Sequence, residues 1–296
     1  MTLKSVFPAI ALILMILSIS AQSSIAETSI KYVTVSYKFD SPITLHEPVY
    51  LNVQFQNQMP YGITFDLGLL SKGAFDLQID MPNGQQRNYS TKNMAYDGPE
   101  VYSRVYLAPK ETTMKRFLMN DWYEQDEPYF ISTYNLVGNY HIKIKLDLPI
   151  IKGKTEQRIV TIEREYYHQT EESELDFAIL PRNEAVLKQR CDELFSKWQF
   201  APYRDKPPLF QELSYITDPI AIPYLAKLAD KEDYYAFFGL RRIGTDKAME
   251  AMIPITRSTH DSNIAAEAKK YLIQNMHKIQ DPDIREKIEA AVQSRY

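Results

Sequence analysis

Apolar and polar residues alternate along the first half of the chain. In "VYLNVQF", Val49, Leu51, Val53 and Phe55 fall on one side, with Tyr50, Asn52 and Gln54 on the other. "FDLQIDM" sets Phe75, Leu77, Ile79 and Met81 against Asp76, Gln78 and Asp80, and then meets the turn signal Pro82-Asn83-Gly84. "YHIKIKLDL" sets Tyr140, Ile142, Ile144, Leu146 and Leu148 against His141, Lys143, Lys145 and Asp147. A period of two is that of a strand with one face in a core. Weaker alternation occurs at 30–39, 62–68, 101–107, 113–119 and 157–164. Strands of this kind with short turns between them predict an antiparallel β-sandwich of about seven to nine strands.

After "EREYYHQTEESELDF" the period lengthens. "NEAVLKQRCDELFSKW" lines up Val186, Leu187, Cys191, Leu194, Phe195 and Trp198 as a helical stripe, and "APYRDKPP" (201–208) breaks it. A motif then recurs: Leu213-x-x-Ile216-x-Asp218-Pro219, Leu240-x-x-Ile243-x-Thr245-Asp246, and Met276-x-x-Ile279-x-Asp281-Pro282, at spacings of 27 and 36 residues. Each copy reads as the buried end of one helix followed by the cap of the next. Asp or Thr accepts the first free N–H groups, and proline suits a first turn that needs no donor. Ala221, Leu225 and Leu228 correspond to Ala248, Met252 and Ile255, and second helices are predicted at 233–242 and 261–275. Pro254 falls inside a predicted helix, where a kink is expected. The fold class is therefore multidomain: a β-sandwich over 27–166, a linker at 167–182 and an all-α repeat array over 183–296, with halves that fold separately.

The details resemble known families. "ITLHEPVYLNVQFQNQMPYGITFDLG" resembles the opening hairpin of bacterial immunoglobulin-like modules, and "VGNYHIKIKL" resembles their closing strand. "LAPKET" (107–112) is similar to the Leu-x-Pro-Gly-Glu turn of these modules, with Lys110 where glycine is usual. The proteinase-inhibitor domains of bacilli look broadly alike, but no inhibitory loop carries over. "LRRIGTDKAMEAMIPI" resembles short HEAT-type repeats like those of the phycocyanobilin-lyase family, over 209–293. The sandwich resemblance implies architecture and no particular role. The repeat resemblance implies a solenoid that binds protein partners. Lyase activity does not carry over.

"MTLKSVFPAIALILMILSISAQSSIAET" has the parts of a secretory signal: Lys4, an apolar run from Val6 to Ile19, and Ser24-Ile25-Ala26 at a cleavage site. Its apolar run of about 14 residues is shorter than the roughly 20 of a membrane-spanning helix. Cleavage near Ala26 and a periplasmic or extracellular address are expected, with no membrane span afterwards. The formal charge is −4 and no lysine/arginine block occurs, which argues against nucleic acid as a partner. The single cysteine, Cys191, is expected to be a buried thiol.

Chemistry is sparse. His46, His141, His168, His260 and His277 form no metal-binding spacing, and no nucleophile elbow or phosphate loop is present. Glu163, Glu165, Glu171, Glu172 and Glu174 read as a solvated linker rather than paired catalytic carboxylates. No catalytic, cofactor or metal residue is assigned, and no cofactor is expected. The candidate binding loop is "MNDWYEQDEPYF", with Asp121, Trp122, Tyr123, Glu124, Tyr129 and Phe130. Either these aromatics recognise a glycan or peptide, or Trp122 plugs the open end of the sandwich. The plug predicts Trp122 at least half buried. The function expected is a non-enzymatic exported binding or assembly module that engages a protein partner. The alternative is carbohydrate binding or enzyme inhibition through loop 121–134.

Overall fold

The computed structural model describes residues 31–69, 72–90, 102–122, 134–154, 167–229, 233–257 and 261–293. The expected signal at 1–26 and the expected strand at 157–164 lie outside them. The chain has two parts, a β-sheet domain followed by a region of helices.

Ten strands are described: β1 (Val33–Phe39), β2 (Ile43–Thr44), β3 (Tyr50–Asn57), β4 (Ile63–Leu69), β5 (Phe75–Asp80), β6 (Gln86–Ser90), β7 (Tyr102–Leu107), β8 (Thr112–Leu118), β9 (Gly138–Lys152) and β10 (Tyr167–Leu180). One sheet runs β1-β3-β8, all antiparallel. The other runs β2-β10-β9-β4-β7. The long β9 gives one whole edge to β10 and divides the other between β5 and β4, and β6 pairs with β5. The alternation read from the sequence is the burial pattern: Leu51, Val53 and Phe55, then Phe75, Leu77 and Ile79, then Ile142 to Leu148 at every second residue, are buried. Phe55 of β3 and Phe65 of β4 meet at 4.9 Å between ring centroids, joining the two sheets. Each such side chain contributes on the order of 1.5–3 kcal/mol of burial. Lys110 does stand in the left-handed region, with φ 62°, in the turn closed by Glu111 N–H on Ala108 O at 3.1 Å.

The predicted linker at 167–182 is instead largely the strand β10, and the connection to the helices shrinks to residues 181–183. Its acids form a ladder across β9. Glu172, Glu174 and Asp176 stand opposite Lys145, Lys143 and His141, with Lys143–Glu174 at 3.8 Å, Lys145–Glu172 at 3.9 Å and His141 Nδ1–Asp176 at 2.9 Å. Surface pairs of this kind add little stability, about 0–1 kcal/mol each, but they fix register. The strand is also tied across to the other sheet. The buried Gln169 amide accepts from Val33 N–H at 3.0 Å and donates to Val33 C=O at 2.5 Å.

Among the described residues seven α-helices follow: α1 (Glu184–Phe200), α2 (Lys206–Ser214), α3 (Ile222–Leu228), α4 (Asp233–Ile243), α5 (Asp246–Ala251), α6 (Ser262–Asn275) and α7 (Pro282–Gln293). The recurring Asp/Thr positions are caps. Asp218 accepts from Ile220 N–H at 3.0 Å, Thr245 from Ala248 N–H at 3.3 Å, and Asp281 from Asp283 N–H at 3.0 Å. Asp246 also takes the N–H groups of Gln280 and Asp281, each at 2.9 Å, linking one copy to the next. Gly244, at φ 66°, ends α4 with its N–H on Leu240 O. A Cβ at Gly239 would lie 2.9 Å from Leu225 and 3.1 Å from the Ser214 backbone, so this glycine admits close helix contact. Even-numbered helices pack in succession, α2 on α4 and α4 on α6, as do α3 on α5 and α5 on α7. Pro254 does not kink a helix. It lies after α5 has ended, before the 3₁₀ turn Ile255–Arg257, because its ring and missing N–H stop the preceding turn.

Candidate functional site

The predicted loop is reached through its root. β8 delivers Phe117 inward, and the 3₁₀ turn Met119–Asp121 follows it, with Met119 N–H on Val49 O at 2.8 Å and Val49 N–H on Asn120 Oδ1 at 2.6 Å. Asp121 closes that turn. Trp122 comes next and turns into the sandwich, 6% exposed, edge-on to Phe75 at 5.5 Å and to Phe117 at 6.3 Å. Its indole N–H is buried and has no hydrogen-bond partner among the described residues. Tyr123, Glu124, Tyr129 and Phe130 lie outside the described residues. Trp122 therefore belongs to the core, as the plug reading expects.

The residues singled out for chemistry disperse. Cys191 is fully buried, and burial, aided by Asp192, pushes its thiol up to about 12. His141 and His168 face acids of the β9–β10 hairpin, His277 lies in the 3₁₀ turn Met276–Lys278, and His260 is outside the described residues. Glu171, Glu172 and Glu174 are strand residues, and Glu163 and Glu165 are outside the described residues. Among the described residues no three potential ligands converge as a metal site.

Two buried carboxylates, Glu212 and Asp218, lie where the two parts meet. Glu212, in α2, is buried and pairs with Arg190 of α1 and with Arg116 of β8, the latter at 3.4 Å. It also accepts from the Tyr50 hydroxyl, which burial and then Glu212 hold well above the usual tyrosine range. Arg116 lies over the Tyr50 ring at 3.4 Å, and Arg242 of α4 over the Tyr215 ring at 3.8 Å. Tyr50, Leu118 and Tyr215 form an apolar contact between strands and helices. Beside it His46, at φ 78°, receives Thr217 N–H on its carbonyl at 3.2 Å and sets Nδ1 3.0 Å from Thr217 Oγ1. Asp218 is fully buried. Burial alone would raise its carboxyl, but Arg182, at 2.5 Å, and Ile220 N–H hold it below the usual value. Residues 33–296 form one compact unit, in which the stretch expected as a polar linker is mostly the strand β10. Every charge here has a protein partner, so the cluster is a structural weld.

The helices offer a different surface. Aromatic rings run in contact from α1 to α6: Trp198–Phe210 at 5.4 Å, Phe210–Tyr235 at 5.8 Å, Tyr234–Phe238 at 4.7 Å and Phe237–Tyr271 at 6.2 Å. Most are covered, but Tyr234 is 50% exposed. Tyr234, Phe238 and Arg241 are spaced i, i+4, i+7, which puts them on one face of α4. Arg241 carries its guanidinium 5.2 Å from the Tyr271 ring of α6. Sequence reasoning found this helix in "DYYAFFGLRR" but did not find its face. The signal was the i, i+4, i+7 set of two aromatics and an arginine.

No family model and no curated protein matches the chain. Solved structures give slight likeness. A Bordetella pertussis protein provisionally named ApaA is 9% identical over 50% of this chain and 91% of its own, with a TM-score of 0.26. PapD-like domain 7 of human CEP192 is 11% identical over 51% and 87%, with a TM-score of 0.26. A protein from Archaeoglobus fulgidus is 13% identical over 50% and 95%, with a TM-score of 0.23. At this level the likenesses carry nothing about activity or partner.

Proposed function

We propose that the protein is an exported, non-enzymatic binding or assembly module that engages a protein partner through its helical region, a short HEAT-type array. The observation that carries this reading is the α4 face, where a half-exposed Tyr234 stands in ring contact with Phe238 and a guanidinium reaches across to Tyr271. Tyrosine and arginine clusters are the side chains that dominate protein interfaces, because they bring large area at low entropy cost. The layered packing of successive helices and the three recurring caps support the repeat reading. The address rests on the N-terminal signal pattern.

Tyr234→Ser tests the surface. It should leave the unfolding free energy within about 0.5 kcal/mol of wild type while removing a specific protein from affinity capture out of an extracytoplasmic extract. Capture that survives Tyr234→Ser and Arg241→Glu together would remove this face from the account. Glycan binding through loop 121–134 is the weaker reading, because the ring it would use first, Trp122, is packed against Phe75 and Phe117.

A further inference from the structure

The end of α1 and the connection to α2 carry two rings that nothing in the described structure covers. Phe200 is 85% exposed and Tyr203 is 82% exposed. Their backbone is held. Ala201 N–H bonds to Lys197 O at 2.9 Å and Trp198 O at 3.3 Å, and Asp205 N–H bonds to Pro202 O at 2.9 Å across the 3₁₀ turn Tyr203–Asp205. The neighbouring Trp198 is sunk in the helical core, so the loop has already committed one ring inward and presents the other two outward. The tip is cationic. Lys197, Arg204 and Lys206 stand against one carboxylate, Asp205, which lies 3.5 Å from Arg204 Nε, on a chain of formal charge −4. Lys206 keeps its ammonium 5.0 Å from the Trp198 ring.

A stable protein interface needs about 800 Å² of complementary surface per partner. Two rings interrupted by prolines and charges do not supply a continuous patch of that size. A bilayer interface asks for less: aromatic rings that sit at headgroup depth, and lysines or arginines that meet anionic lipid. We propose that this loop is a membrane-surface contact, in which Phe200 and Tyr203 enter the headgroup layer of anionic phospholipid while Lys197, Arg204 and Lys206 face the phosphates.

The test uses the chain from Glu27 on, which leaves out the N-terminal apolar run that would itself bind lipid. The protein is sedimented with vesicles of phosphatidylglycerol and phosphatidylethanolamine, and separately with phosphatidylcholine alone. It should pellet with the anionic vesicles at low salt and be released as salt rises. Phe200→Ser with Tyr203→Ser should weaken that binding about tenfold, as should Lys197→Glu with Arg204→Glu. All four side chains are exposed, so melting temperatures measured alongside should not move. Wild type left in the supernatant with anionic vesicles overturns the proposal, and so does a Phe200/Tyr203 variant that pellets like wild type. A protein captured by wild type and lost in that variant, without vesicle binding, overturns it in favour of a protein interface.

Discussion

The protein has two aromatic clusters that read alike in the sequence and differ in the fold. In the sandwich, Trp122, Phe75 and Phe117 meet edge to face with Trp122 almost fully covered. In the helices, Tyr234 and Phe238 meet at a similar spacing, yet Tyr234 is half exposed and backed by rings that are not. Surrounding acids drew attention to the first cluster as a binding loop. What separates a plug from a recognition surface is geometry around the ring. A sandwich end is closed by a large side chain that follows one of its strands, as Trp122 follows β8, whereas Tyr234 lies on a helix face that its neighbours leave half open.

The largest expected effect breaks the plug. Trp122→Ala should cost about 3–5 kcal/mol, read as a shift in denaturant midpoint, because the cavity opens between Phe75 and Phe117. A cost below about 1 kcal/mol would mean that the ring is not part of the core. Next comes the weld between the parts. Glu212→Ala leaves Arg116, Arg190 and the Tyr50 hydroxyl without their shared acceptor, at a cost of about 2–3 kcal/mol. Wild-type melting should be a single cooperative transition, and limited proteolysis should spare 167–180. Two resolved transitions, or first cleavage within β10, would restore the picture of independent halves.

Much of this was legible and some was not, for physical reasons. The strands with one apolar row, β3, β5 and β9, announce themselves by alternation, and the caps Asp218, Thr245 and Asp281 by local chemistry that needs no neighbour. β10 hid because its inward row begins Gln169, Glu171, Ser173, with no apolar period until Leu175 and Phe177, and because Glu172, Glu174 and Asp176 find their partners on the distant segment β9. The junction hid because Arg116, Glu212 and Arg190 come from distant segments. The outward ring of α4 hid because "YYAFF" puts aromatic or apolar residues on every side of the helix, so neighbours decide which side chain faces out.

Two smaller effects test finer points. Lys110→Gly should relieve left-handed strain of about 1–2 kcal/mol, offset by about 0.5–1 kcal/mol of added chain entropy, for a gain of roughly 0.5–1 kcal/mol. Destabilisation would show that the Lys110 bond to Gln58 O outweighs the strain. His46 should make the junction acid-sensitive. Burial, against the pull of Asp218 and with the push of Arg182, holds its imidazole below the ordinary value. The unfolded chain therefore takes the proton first, and stability falls as pH drops through about 6.5. His46→Asn, which tolerates the same positive φ, should flatten melting temperature between about pH 7 and 5.5. An unchanged slope would place that sensitivity elsewhere.

The binding assignment is tested most directly by site-specific photo-cross-linking in the cells of origin, with the cross-linker placed at Tyr234 on α4 or at Met114 on the sandwich, which is also exposed. A partner on the helical face predicts a discrete adduct from position 234 that disappears with Arg241→Glu, and none from position 114. An adduct from 114 with none from 234 would contradict the account and return the binding surface to the sandwich.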